Sequence, residues 1–154
     1  MFRVLEDING KNADAMYSAG DDMKVGMGVI KGESFEADFP STATATDIFI
    51  VAKEFIPTGL DSLRGEVSDY DLETIKSGDK IVLIKPIIGE IYWTDQVETE
   101  LSVGDYLVVN TNGKFTKASS GNSNLKVESL GIKDAGVHTG VTFIVTDWNT
   151  ISGD

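Results

Sequence analysis

The sequence predicts a mainly β protein: a single β-sandwich or β-barrel-like domain with one short helix and an extended N-terminal arm. Three observations predict it. Apolar, β-branched runs of strand length recur at Asp47 to Ala52, Lys80 to Ile84, Leu101 to Asn110 and Val137 to Asp147, with glycine and asparagine turns between them. Asn112-Gly113 sits between β-prone flanks as a hairpin signature. Gly-Asp pairs open strands at Gly20-Asp21, Gly78-Asp79 and Gly104-Asp105, where glycine takes a backbone conformation that other residues resist and aspartate bonds nearby N–H groups. A chain of 154 residues, 41% hydrophobic, is long enough for one continuous core and too short for two large domains.

Each element follows in order. Residues 1–20 read in two ways: as an arm that lays Phe2, Val4, Leu5 and Ile8 on a partner, or as a first core strand with the same residues turned inward. Residues 21–154 form the β-rich domain. Val25 to Ile30, with Gly26 and Gly28 between apolar residues, is a strand or a glycine-rich loop. Beyond the polar stretch Ser41 to Thr46, Asp47 to Ala52 is a buried strand, and Pro57 and Gly59 then break the pattern. Ser68 to Lys76 predicts the short helix, with Ser68 as cap, Asp69 and Asp71 at the positive end of the dipole, and Leu72 and Ile75 three apart. Ser77-Gly78-Asp79 closes it.

Lys80 to Ile84 is a continuous apolar run, as burial on both faces requires. Pro86 interrupts it, so Ile87 to Trp93 is a new strand or an edge continuation past a bulge. Leu101 to Asn110 and Lys114 to Lys117 form a hairpin through a type I′ turn at Asn112-Gly113. Ser119 to Asn124 is a surface loop. Leu125 to Ile132 and Val137 to Asp147 are the terminal strands, joined through Asp134 to Gly136.

Charge narrows the partners. Thirteen basic residues against 25 acidic ones leave a formal net charge of -12, which repels phosphate backbones and anionic lipid, so neither nucleic acid nor a membrane is an expected partner. The acidity is spread along the chain, as on a solvated surface. With no cysteine, disulfides, thiolate metal sites and thiol catalysis are excluded. The N-terminus turns acidic before any apolar region of signal-peptide length, and no apolar run approaches the roughly 18 residues of a membrane span, so synthesis in the cytosol is expected.

Candidate chemistry is sparse. The single histidine, His138, has no second histidine or cysteine with which to share a metal and no serine motif to serve, and reads as a turn or interface residue. Lys24 to Gly32 meets neither phosphate-loop nor dinucleotide spacing. The carboxylate pairs Asp21/Asp22, Asp69/Asp71 and Glu98/Glu100 lack an EF-hand pattern; a calcium site on a loop stays open. No catalytic residue, cofactor or metal is therefore expected. Tyr92, Trp93 and Trp148 are the side chains best able to anchor an interface or stack on a sugar.

The acidic, cysteine-free, β-rich layout, with its N-terminal stretch, Gly-Asp turns and terminal strand Gly140-Val-Thr-Phe-Ile-Val145, resembles the head decoration (capsid cement) proteins of tailed bacteriophages. Asp47 to Gly59 with Val67 to Tyr70 also resembles phage structural proteins from Gram-positive hosts. The resemblance implies a non-enzymatic virion protein on the capsid exterior that clamps neighbouring major capsid subunits, often as a homo-oligomer. Phe2, Val4, Leu5, Ile8, Trp93 and Trp148 would then be its partner contacts. The alternative is a β-sandwich carbohydrate-binding module that uses Tyr92, Trp93 or Trp148 as a stacking platform.

Overall fold

A computed structural model describes residues 1–6, 13–53, 73–98, 100–119 and 123–146. The protein is mainly β. Its strands are β1 (Phe2–Glu6), β2 (Ala13–Asp14), β3 (Ser18–Ala19), β4 (Met23–Lys24), β5 (Gly28–Lys31), β6 (Glu36–Asp38), β7 (Phe49–Ala52), β8 (Thr74–Ile75), β9 (Val82–Ile84), β10 (Ile91–Thr94), β11 (Tyr106–Val109), β12 (Phe115–Lys117), β13 (Leu125–Ala135) and β14 (His138–Val145), with one 3-10 turn at Glu33–Phe35.

Two six-stranded sheets form the body, in the orders β1-β10-β14-β13-β11-β12 and β2-β9-β7-β5-β6-β3, while β4 and β8 make a small ribbon. Each large sheet curls toward closure. In the first, the segment leaving β10 reaches the far edge, where Val97 bridges Phe115 of β12. In the second, β3 pairs with β6 on one side and Ser18 bridges Lys80, just ahead of β9, on the other. Curling of this kind removes free strand edges, which would otherwise expose unpaired backbone groups.

The cores follow from the pleat. The first contains Tyr92, Leu107, Phe115, Leu125, Val141 and Phe143, and Ile48 and Ile50 join it from the second sheet. The second contains Met23, Val29, Val51, Ile75, Ile81 and Leu83. Strand β7 therefore faces apolar side chains on both sides, with Ile50 in one core and Val51 in the other, and β9 does the same with Leu83 and the partly buried Ile84. That is why these two segments read as uninterrupted apolar runs and not as alternating ones. The sheets are sewn together at Gly28, whose N–H donates to the Gly113 carbonyl at 2.8 Å, and at Thr44 and Val109, which exchange bonds of 2.7 and 2.9 Å.

The Gly-Asp echo has a structural basis. At Lys76–Asp79 and Ser102–Asp105 the third residue is glycine at positive φ (87° and 92°). In both, the aspartate carboxylate accepts the first residue's N–H at 2.9 Å. Ile87–Glu90 repeats the pattern with Gly89 at 90° and Glu90 in place of aspartate. Glycine is required at the third position because this turn needs positive φ there. Gly20-Asp21 does not belong to the set, since Gly20 has no positive φ.

Several local expectations are corrected. Within Ser68 to Lys76, Glu73 is helical as expected, but residues 74 and 75 pair with β4 as strand β8, where the burial of Ile75 in the second core outweighs the weak helical signal; residues 68–72 lie outside the described residues. The strand expected from Ile87 begins at Ile91, because the glycine turn occupies residues 87–90. At Asn112-Gly113 only the glycine has positive φ, and Asn110 N–H bonds the Lys114 carbonyl at 2.9 Å, so the hairpin has a three-residue loop and not a type I′ turn. The N-terminus is no free arm over its described part: Phe2–Glu6 pairs antiparallel with β10, with a bulge at Leu5, and residues 13–14 and 18–19 pair within the second sheet. Strand β10 would otherwise present an open edge, which β1 covers.

Thr142 in β14 is fully buried and its Oγ1 has no hydrogen-bond partner. A buried orphan hydroxyl carries a desolvation cost of about 1–3 kcal/mol. Thr142→Val is expected to raise unfolding free energy by about 1 kcal/mol in urea titrations, and a loss of stability would contradict the assignment.

Candidate functional site

The longest hairpin is the most distinctive surface feature. Strands β13 and β14 run antiparallel and turn through Gly136, at φ 69°, and Val137. This glycine-first pair matches the preference of a type II′ hairpin turn. Between Val127 and Ile132 the register slips: Val127 faces Phe143 and Ile132 already faces Val141, so an extended bulge of β13 opposes Thr142. Bulges bend and twist a hairpin and re-aim its outer part. Beyond this one, Ile132 is 49% exposed and Val137 at the tip 88% exposed, while Val103, also exposed, lies against the bulge at Gly131. Exposed apolar residues gathered on one projecting element are a mark of protein interfaces.

At the turn end of the hairpin, strand pairing gathers charge. Thr94 of β10 pairs with Val141 of β14, which brings Asp95, the next residue, close to His138, the first residue of β14. His138 Nδ1 lies 2.8 Å from Asp95 Oδ2, and His138 Nε2 lies 3.4 Å from Glu73 Oε1, just ahead of β8. The Met1 α-ammonium sits 2.7 Å from Asp95 Oδ1 and 3.5 Å from Glu73 Oε1. Gln96 Nε2 also donates to Asp95 Oδ1, at 2.6 Å. All three titratable side chains are half-buried, and Asp95 is the most enclosed.

A cavity of about 240 Å³ opens elsewhere, lined by Ile48, Pro86, Ile87, Asn124, Leu125 and Val145 among others. Lys85 and Asp47 also line it, 3.5 Å apart. Asn124 is buried, and its Oδ1 has no hydrogen-bond partner. The chemistry of this cavity suits an apolar group carrying one hydrogen-bond donor.

The sequence candidates are placed differently. Tyr92 and Trp93 are 1% and 2% exposed, so neither ring offers a stacking face to solvent. The Tyr92 hydroxyl bonds Glu90 in the interior. Phe2 stacks on Tyr92 with ring centres 5.6 Å apart, packed against the first core. The backbones of Val4 and Leu5 belong to β1; Ile8 and Trp148 lie outside the described residues.

Among the carboxylate pairs, Asp22 accepts from Lys76 Nζ at 2.6 Å and from the Ser77 N–H at 3.1 Å. These bonds, chiefly the one from Lys76, hold its carboxyl below the usual carboxylate range. Glu98 accepts from the Asn110 and Asn112 side chains and braces the three-residue loop. Asp69 and Asp71 lie outside the described residues. His138 was visible in the sequence as the lone histidine, but its partners Glu73 and Asp95 carried no spacing signal. Only strand pairing brings them together. No protein-family model matches the chain, and no curated protein matches it.

Proposed function

We propose that this chain is a non-enzymatic structural protein of a tailed-bacteriophage virion, bound to the outer surface of the capsid, where it stabilises contacts between major capsid subunits. The observation that carries the reading is the β13–β14 hairpin, with Ile132 and Val137 exposed beyond a bulge and Val103 beside it. Burying such side chains against a partner is worth about 1.5–3 kcal/mol each when complete. Several such contacts made at once on a lattice add through effective concentration, so a weak single contact suffices for a clamp. A homo-oligomer would multiply this gain.

The net charge of -12 supports an exterior position, since it disfavours packaged DNA and keeps particles dispersed. On this reading the chain is made in the host cytoplasm and joins assembled shells. With β1 stitched to β10, contact with the capsid falls to the hairpin in preference to the N-terminus.

The test is co-sedimentation of the purified chain with capsids lacking it, together with its copy number in gradient-purified virions by quantitative mass spectrometry. The expected result is a copy number within several-fold of the major capsid polypeptide. Val137→Asp combined with Ile132→Asp should lower the bound fraction at least tenfold, with the circular dichroism spectrum unchanged. Absence from particles would overturn the proposal, and undiminished binding of the double variant would remove the hairpin from it.

A further inference from the structure

The cluster at the turn end of the hairpin has the composition and spacing of a cation site. Its donors come from three separate parts of the chain: Glu73 ahead of β8, Asp95 after β10 and His138 at the start of β14. One ligand atom from each lies within 4.8 Å of the other two. The 3.4 Å between His138 Nε2 and Glu73 Oε1 equals the donor-to-donor edge, about 3.4 Å, of a tetrahedral zinc centre with bonds near 2.0–2.1 Å.

His138 Nδ1 lies 2.8 Å from Asp95 Oδ2, closer than two ligands of one tetrahedral zinc stand, so the ion enters by replacing this direct contact. A second observation points to a cation. The Met1 α-ammonium already lies between the two carboxylates, 2.7 Å from one and 3.5 Å from the other, so positive charge is stabilised where they converge.

We propose that Glu73, Asp95 and His138 form a divalent transition-metal site for which Zn²⁺ is the best-fitting ion. One imidazole with two carboxylates suits zinc, whereas Mg²⁺ and Ca²⁺ take all-oxygen sets. Zinc takes over the counter-charge supplied by the Met1 ammonium. Bound there, it ties the start of β14, one residue past the Val137 tip, to the end of β10 and to the segment leading into β8, which orders the tip. The site stands whether or not the hairpin binds a capsid.

The test is titration of the full chain, without an N-terminal tag, with ZnCl₂. Because His138 is the only histidine, its imidazole NMR signals report on the site without ambiguity. They are expected to shift and saturate at one Zn²⁺ per chain, with no response to equimolar MgCl₂. The melting temperature should rise by roughly 5–10 °C at a hundredfold excess over Kd. Glu73→Gln and Asp95→Asn should each weaken binding at least tenfold, while Asp22→Asn, on a separate ion pair, should leave it unchanged. Imidazole signals that stay fixed in excess Zn²⁺ would overturn the site, as would binding indifferent to Glu73→Gln; both assign any bound zinc to scattered surface carboxylates. The wild-type NMR titration decides the matter even where a variant fails to fold.

Discussion

Phe143→Ala is expected to lower the unfolding free energy by about 3–5 kcal/mol, the largest loss from any single truncation in the first core. Phe143 is fully buried in β14. Its ring lies 5.1 Å from that of Phe115 and 5.8 Å from that of Tyr92, which in turn stacks on Phe2. The side chain thus joins β12, β14 and β10 and indirectly holds the edge strand β1. Alanine removes the ring area and leaves a cavity that strands paired on both sides cannot close, and both terms add. Native domains are stable by only about 5–15 kcal/mol, so the loss is a large fraction of the total. Urea denaturation should show a lower midpoint at unchanged slope. A loss under about 1 kcal/mol would mean that the aromatic cluster is not the centre of the core.

Gly140→Ala is the second large effect, and it acts through crowding. A methyl group at Gly140 would stand 2.6 Å from Trp93 Cζ2 and 2.8 Å from the Thr94 carbonyl carbon, and closer still to the Thr94 oxygen. Flexible side chains give way cheaply, but Thr94 is backbone in a paired strand whose neighbour on β14 is Val141. The strands must separate or Trp93 must leave its packing, at a cost of about 3 kcal/mol. Hydrogen exchange should report it locally: amides of β10 and β14 near Thr94 and Val141 should lose protection ahead of those in β7 and β9. Equal loss in both sheets would show that the strain is not confined to this crossing.

How much of the fold was legible depended on how local its cause is. Asp47 to Ala52 announced a buried strand, and Lys80 to Ile84 burial on both faces, because the residues of a strand between two cores are apolar whichever way they point. The turns at Gly78-Asp79 and Gly104-Asp105 were legible because one glycine and the aspartate directly after it make them. The helix expected over Ser68 to Lys76 reaches Glu73 but not beyond it, since Ile75 gains more from the second core and from pairing with β4 than a further turn of helix supplies. Tyr92 and Trp93 looked like surface anchors because aromatic composition is the same in a core and in a binding face; pairing of β10 on both sides puts them inside.

The acidic site was the least legible. His138 could be singled out, but Glu73 and Asp95 resemble every other acidic residue of a chain with 25 of them. Likewise, nothing in the alternation of residues 125–145 marks the register slip that turns Ile132 and Val137 outward.

By itself the sequence determined the mainly β class, the two buried apolar strands, the glycine turns and the anionic surface. Each depends on side-chain period, backbone φ or charge, which are properties of a few adjacent residues. Only the tertiary structure decided the curling of both sheets, the edge taken by the N-terminal strand, the enclosure of Tyr92 and Trp93, and the meeting of Glu73, Asp95 and His138. Those outcomes are set by which distant strands pair, and pairing is chosen by the free energy of the whole chain: apolar area buried and backbone groups satisfied, against the entropy of closing long loops.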